Sequence, residues 1–156
     1  MNQQTIGDFY ARRARDLFRE GYNCSQAVVA AFAEPLGIEF ETALLLGSSF
    51  GGGMGRLRES CGAVNGMLIV AGLKHGYIDP DDYEAKREHY VLVQKLVKQF
   101  KEKYGTIQCR TLLGGNASDS PIPTPRTLEF YAKRPCEKII GECAKIVADE
   151  LFAEEF

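Results

Sequence analysis

The sequence predicts an all-α protein, a compact bundle of about five to seven helices in a single domain over residues 1–156. Apolar side chains recur at intervals of three and four residues along most of the chain, which is the spacing of an amphipathic helix. Gly and Pro lie between these stretches, where helices begin and end. No segment shows the strict alternation of a half-buried strand. The 156 residues, 45% of them hydrophobic, suffice for one core.

Local signals predict the first two helices. The first covers Thr5–Glu20, and a glycine ends it. Asn23 is a favourable N-cap for the second helix, and Gln26, three residues later, can complete a capping box. This second helix is predicted to stop near Pro35.

The later helices follow from the same kinds of signal. They are predicted to begin near Phe40, Glu59, Asp79-Pro80 and Pro135, with a short helical segment at Cys109 and a loop over Asn116–Arg126. The long helix from Asp79 ends at Gly105 and carries apolar residues at near-heptad spacing, namely Tyr83, Tyr90, Val93, Val97, Phe100 and Tyr104. This seam predicts packing either inside the core or against a second copy of the chain in a homodimer.

Composition excludes several functional classes. The formal net charge is -2, with both signs interspersed, so no basic stripe is available for a nucleic-acid backbone. The longest apolar run, Met67–Leu73, is too short to span a membrane, and the N-terminus lacks a signal-peptide core. We therefore expect a cytoplasmic protein with no nucleic-acid or membrane partner. Disulfides are uncommon in that compartment, so its cysteines favour metal binding or catalysis.

Four of the five cysteines fall at predicted helix starts: Cys24, Cys61, Cys109 and Cys136. The exposed N–H groups there stabilise thiolates, so these positions predict four thiols of low pKa that could converge on one point. No CxxC pair is present, so the usual zinc and ferredoxin signatures are missing. The alternative is that all four are buried as small apolar residues. Cys143 lies inside the last helix among isoleucines and valine, which favours core packing.

Glycines surround the second of these cysteines. Gly51, Gly52 and Gly53 lack the GK[ST] ending of a phosphate-binding loop and a preceding strand. They predict instead a close backbone approach, either to a neighbouring helix or to a cluster near Cys61, where backbone N–H groups could donate to sulfur. Gly62 predicts either close helix packing or access of a cofactor to Cys61.

Charged residues also flank that cysteine. Arg56, Arg58 and Glu59 are interpreted as solvated loop charges, with tuning of the charge at Cys61 as the alternative.

Taken together, these segments resemble the C_GCAxxG_C_C family of redox-active proteins. The matching segments are Gly21-Tyr-Asn-Cys24-Ser-Gln-Ala-Val28, Gly51-Gly-Gly-Met-Gly55, Cys61-Gly-Ala-Val-Asn-Gly66 with Gly72-Leu-Lys-His-Gly76, Cys109-Arg-Thr-Leu-Leu-Gly114, and Cys136. One departure is that the family's name places Gly before Cys in the central motif, whereas here Cys61 precedes Gly62. The resemblance implies a helical domain in which the four cysteines gather as an iron–sulfur or other metal site. A related domain is attached to a multihaem cytochrome in some proteins, which implies electron transfer.

The predicted function is therefore that of a redox-active protein. Its four-cysteine site would bind an iron–sulfur cluster or another metal and exchange electrons with an unidentified redox partner. Two alternatives stay open. One is a metal-free thiol–disulfide protein using the same cysteines, and the other is a helical module with structural zinc.

Overall fold

A computed structural model describes residues 5–115 and 117–155, and nine α-helices lie within these ranges. They are α1 (Ile6–Arg19), α2 (Cys24–Ala31), α3 (Ala33–Leu36), α4 (Phe40–Gly47), α5 (Gly62–His75), α6 (Tyr83–Tyr104), α7 (Cys109–Leu112), α8 (Leu128–Lys133) and α9 (Cys136–Leu151), with 3₁₀ turns at Ser48–Phe50 and Ala153–Glu155. The described residues contain no β-strand, only an isolated antiparallel bridge between Ser60 and Gln108. The all-α prediction is confirmed. The number of helices exceeds the predicted five to seven because two short helices, α3 and α8, were not predicted.

The predicted helix bounds differ from the structure at one end and at two starts. The second helix is predicted to stop near Pro35, but α2 ends at Ala31, and Pro35 lies within the separate helix α3. The long helix begins at Tyr83, not at Asp79-Pro80, because the Asp82 side chain accepts a hydrogen bond from the Ala85 N–H (3.0 Å) and caps it there. Pro80 lies in the preceding turn. The helix predicted from Glu59 begins at Gly62, for a reason given with the site below.

Two helix pairs form most of the core: α1 packs along α9, and α2 packs along α5. Helix α2 is short but buried on nearly all sides. Just after it, Phe32 is fully buried and stacks on Tyr10, with ring centroids 4.4 Å apart, while Phe152 lies 5.0 Å away on its other flank. These aromatic contacts join α1, α2 and the end of α9.

Helices α2 and α5 approach each other closely at Gly66. A Cβ at this position would lie 2.9 Å from the Ser25 carbonyl oxygen and 3.0 Å from Val28 Cβ, so only glycine fits without displacement. The approach brings the first residue of α2, Cys24, beside the start of α5.

Helix α6 covers α5 and α9 with its C-terminal half. Leu96 and Phe100 are fully buried, whereas Tyr83 and Tyr90 are 72% and 49% exposed. The predicted seam of α6 therefore packs into the core only at its C-terminal end. At the other end Tyr90 shares a hydrogen bond with the Tyr77 hydroxyl (2.8 Å) at the surface. Across the described ranges, no helix combines the length and the apolar character needed to cross a membrane.

Candidate functional site: a cysteine-lined cavity

The four cysteines that begin helices line a single cavity of about 320 Å³. Cys24, Cys109 and Cys136 are the first residues of α2, α7 and α9, and Cys61 immediately precedes α5. The cavity therefore collects four helix starts that are far apart in the sequence.

A short backbone pairing places two of these cysteines side by side. The Cys61 N–H donates to the Ile107 carbonyl (2.7 Å), and the Cys109 N–H donates to the Glu59 carbonyl (2.6 Å). The backbone of residues 58–61 is thereby hydrogen-bonded to residues 107–110. For this reason α5 begins after Cys61 and not at Glu59.

A capping box fixes the third cysteine. The Gln26 N–H donates to the Asn23 side chain (2.8 Å), and the Asn23 N–H donates to the Gln26 side chain (3.1 Å), as the sequence predicts. The Gln26 amide also donates to the Leu44 carbonyl on α4 (3.2 Å). Cys24 follows directly after the cap, so its position is set by both α2 and α4.

The glycine segment, residues 51–55, forms the wall facing these thiols. The N–H of Gly52 donates toward the Cys24 sulfur. A Cβ on Gly53 would lie 2.7 Å from Cys109 Cβ, and the backbone φ there is +75°, which glycine alone adopts readily. A Cβ on Gly62 would collide with Cys24 Sγ and with the Phe50 carbonyl oxygen. Gly62 therefore makes room for the thiol of α2 at the start of α5.

The prediction of low thiol pKa values is wrong for three of the four cysteines in the protein alone. Burial raises the pKa of Cys24 and of Cys61, and it raises the pKa of Cys136 to about 12. Neighbouring cysteines add to these rises. The N–H groups of Gly52 near Cys24, and of Ala63 and Val64 near Cys61, act in the opposite direction. The N–H groups near the helix starts do lower the thiol pKa values, but the rise caused by desolvation is larger.

Four arginines line the same cavity, at positions 56, 58, 126 and 134. The interpretation of Arg58 as a solvated loop charge is wrong, because only 2% of this residue is exposed. Its Nη1 lies 3.8 Å from Cys109 Sγ, and its Nε donates to the Ser118 carbonyl (2.9 Å). Arg56 is half-buried, whereas Glu59 is exposed as expected.

The proline-containing loop after α7 forms one side of the cavity, through Pro121, Pro123 and Thr124. Arg56 holds it by donating to the Ser120 carbonyl (2.6 Å) and to Thr124 Oγ1 (2.9 Å). From the far end of the loop, Arg126 donates to the Phe18 and Tyr22 carbonyls (3.0 Å each). The loop is thereby tied to α1 and to the glycine segment.

Sequence reasoning missed the part that this loop, Arg126 and Arg134 play in the cavity. A local signal did exist, since Arg56 and Arg58 lie five and three residues before Cys61 with a single acidic residue, Glu59, between them and the cysteine. Their burial, however, depends on contacts with residues 60 or more positions later, which no local pattern reveals.

Within the part of the chain that the structure describes, no three Cys, His, Asp or Glu side chains are grouped closely enough to hold a metal ion. The donor chemistry of the cavity nevertheless fits an iron–sulfur group: four sulfur ligands, N–H donors beside two of them, and cationic walls. The fifth cysteine, Cys143, is fully buried in the core of α9 and does not line the cavity.

Comparison with known proteins gives a family match. Residues 22–150 match the family model described as "Putative redox-active protein (C_GCAxxG_C_C)". Searches of curated proteins and of solved structures gave no match. The matched range contains all four cavity cysteines and the glycine segment. The chain belongs to the C_GCAxxG_C_C family.

Proposed function

We propose that the chain is an electron-transfer protein in which Cys24, Cys61, Cys109 and Cys136 hold an iron–sulfur cluster. The observation that carries this proposal is that four cysteines, each at a different helix start, line one cavity. Both [2Fe–2S] and [4Fe–4S] clusters take four thiolates. Gly51, Gly52, Gly53 and Gly62 would leave the space for it.

The electrostatics of the cavity support thiolate ligands. Desolvation keeps Cys61 and Cys136 protonated in the protein alone, but a metal deprotonates a coordinating thiol outright. The resulting negative charge would be offset by the Arg58 and Arg134 guanidinium groups, both of which favour the Cys136 thiolate. Because no three of the ligands are grouped for one ion, binding requires the cysteine side chains to move toward a common point.

When bound, the cluster would supply one-electron transfer. The chain's own residues bind and shield it. Helix starts and the 58–61 pairing hold the ligands, and the N–H of Gly52 stabilises the Cys24 thiolate. The loop held by Arg56 limits the access of water. The five cysteines are free of disulfides, which fits a reducing compartment such as the cytoplasm.

A metal-free thiol–disulfide function is the second candidate. It is favoured by the absence of a three-ligand group among the described residues and by the electrostatic interaction of Cys24 with both Cys61 and Cys136. The raised pKa values disfavour it, because thiol–disulfide exchange requires a thiolate. Structural zinc on the same cysteines is the remaining alternative.

The test is anaerobic purification of the full chain, followed by visible absorption and by assays of iron, zinc and acid-labile sulfide per chain. We expect iron with sulfide and a brown chromophore, lost in Cys24→Ser and Cys109→Ser. The matched control Cys143→Ala should keep both, since Cys143 lies in the core. Stoichiometric zinc without sulfide would establish the structural-zinc alternative. A metal-free protein whose free-thiol count rises on reduction would establish thiol–disulfide chemistry.

A further inference from the structure

The cavity is cationic in a chain that is acidic overall. The formal net charge of the protein is -2, yet the described residues lining the cavity include four arginines and no Asp or Glu. Burial lowers the pKa of Arg56, and the charges of Arg58 and Arg134 lower it further. Arg56 therefore lies close enough to Arg58 and to Arg134 to be repelled by both, and no carboxylate is among the described residues that line the cavity.

Arg58, which lines this cavity, has one guanidinium nitrogen without a hydrogen-bond partner among the described residues. Its Nε binds the Ser118 carbonyl and its Nη1 faces Cys109 Sγ, but its buried Nη2 has no hydrogen-bond partner among the described residues. A buried charged donor without a partner is costly, because it has lost water and gained nothing in return. A ligand in the cavity that supplies an oxygen acceptor and a negative charge would satisfy this donor after a small movement of the guanidinium group.

Two of the other arginines are already engaged. Arg56 and Arg126 donate to backbone carbonyls and to Thr124 on the cavity walls. Arg134 packs on the Phe130 ring, with its guanidinium carbon 5.0 Å from the ring centroid. Its charge reaches Cys136, as does that of Arg58. Arg58 and Arg134 thus form a pair of cations at the cysteine end of the cavity.

The backbone fixes Arg58 in place before any ligand arrives. Its φ is +62° and that of Arg56 is +71°, values that side-chain-bearing residues rarely adopt. The N–H groups of Arg56 and Arg58 donate to the Gly51 and Gly52 carbonyls (3.0 and 3.1 Å) and hold this conformation. Strained backbone of this kind persists only where surrounding contacts enforce it, and it is common at ligand sites.

We infer that the cavity binds a small oxyanion, a phosphate or carboxylate group, through Arg58 and Arg134 beside Cys109 and Cys136. Arg guanidinium groups recognise both groups through paired, charge-assisted hydrogen bonds. The inference goes beyond the redox proposal and concerns the metal-free protein, because the proposed cluster would occupy the same cavity and its thiolates would interact with the same Arg58 and Arg134 charges.

The test uses the full chain, metal-free and reduced with dithiothreitol, which carries no charge. Inorganic phosphate and acetate are titrated separately at constant ionic strength against chloride, and binding is followed by calorimetry and by thermal unfolding. Binding at about 100 times the dissociation constant should raise Tm by about 5–10 °C relative to chloride. The phosphate and acetate arms identify which oxyanion shape the cavity prefers.

Three variants test whether Arg58 and Arg134 are the residues that bind the oxyanion. Arg58→Met and Arg134→Met should each weaken binding by about 10-fold or more, the usual loss for a charge-assisted hydrogen bond. Arg87→Met is the matched control, because Arg87 is an exposed residue of α6 that pairs with Glu84. If Arg58→Met fails to fold, as judged by circular dichroism, Arg134→Met still decides the outcome. Equal responses to phosphate, acetate and chloride, or unchanged binding in Arg134→Met, would overturn the inference. Loss of binding in Arg87→Met to the same degree would also do so.

Discussion

Replacing Gly62 with alanine tests the central packing of the site. An added Cβ would meet the Phe50 carbonyl oxygen at 2.5 Å, and it would also collide with Cys24 Sγ. Overpacking of this kind costs about 1–3 kcal/mol. The gain of Ala over Gly, about 1 kcal/mol in a helix interior, is small here because Gly62 is the first residue of α5. We expect Gly62→Ala to lower Tm by about 2–4 °C for each kcal/mol lost.

The same helix offers a matched control for that change. Nothing lies within 4 Å of a Cβ placed on Gly72, so Gly72→Ala should stabilise the protein by up to about 1 kcal/mol. Gly66→Ala should destabilise it without touching a thiol, because its closest neighbours belong to Ser25 and Val28. Calorimetry of all three variants gives the stability changes. Iron content after anaerobic purification separates damage at the site, expected only for Gly62→Ala, from damage to packing.

Either of two results would contradict this reasoning. If Gly62→Ala and Gly72→Ala shift Tm in the same direction by similar amounts, Gly62 is not confined by Cys24 and Phe50. If Gly66→Ala loses as much iron as Gly62→Ala, the effect of Gly62 on the site acts through general stability alone.

Two further predictions concern the scaffold. Phe32→Ala should destabilise the protein by about 3–5 kcal/mol in denaturant unfolding, because Phe32 is fully buried against Tyr10 and Phe152; a loss below about 1 kcal/mol would contradict this packing. Arg19 lowers the pKa of Glu137 through a hydrogen-bonded ion pair, so the stabilisation is present above the unfolded carboxyl pKa and is lost as pH falls through the lower folded value. Arg19→Met should therefore destabilise the protein more at pH 7 than at pH 2, where the contact of the guanidinium with the Tyr131 ring remains but the ion pair does not. A difference that does not depend on pH would exclude a contribution from the ion pair.

Much of the fold was predictable because its signals are local. The Asn23–Gln26 capping box needs only four consecutive residues, and both of its hydrogen bonds form. Gly105 ends α6 with a left-handed φ of +80°, as a C-terminal glycine should. The cysteine positions at helix starts follow from the same kind of signal.

Apart from the start of α6, which the local Asp82 cap sets, the errors described next share a physical cause, which is that long-range contacts override local preference. Helix α5 starts later than predicted because residues 58–61 pair with residues 107–110 instead of extending the helix. Arg58 is buried because the loop at Ser118 folds over it. The thiol pKa of Cys61 is raised because the assembled fold removes water from it, an effect larger than that of the nearby N–H groups. None of these contacts is encoded within one helical turn of the residue concerned.

The cavity's dependence on distant segments has a consequence for biosynthesis. Its walls come from α2, the glycine segment, α7 and the start of α9, and α9 is anchored mainly by α1 at the opposite end of the sequence. During translation, the first three cysteines emerge well before Cys136, and the enclosure closes only once α9 docks. Nascent chains thus present unshielded thiols until α9 has been synthesised and docked, and any cofactor insertion into a complete site follows that step. A chain truncated after Ala117 would carry three of the four cysteines without the helix that completes their enclosure.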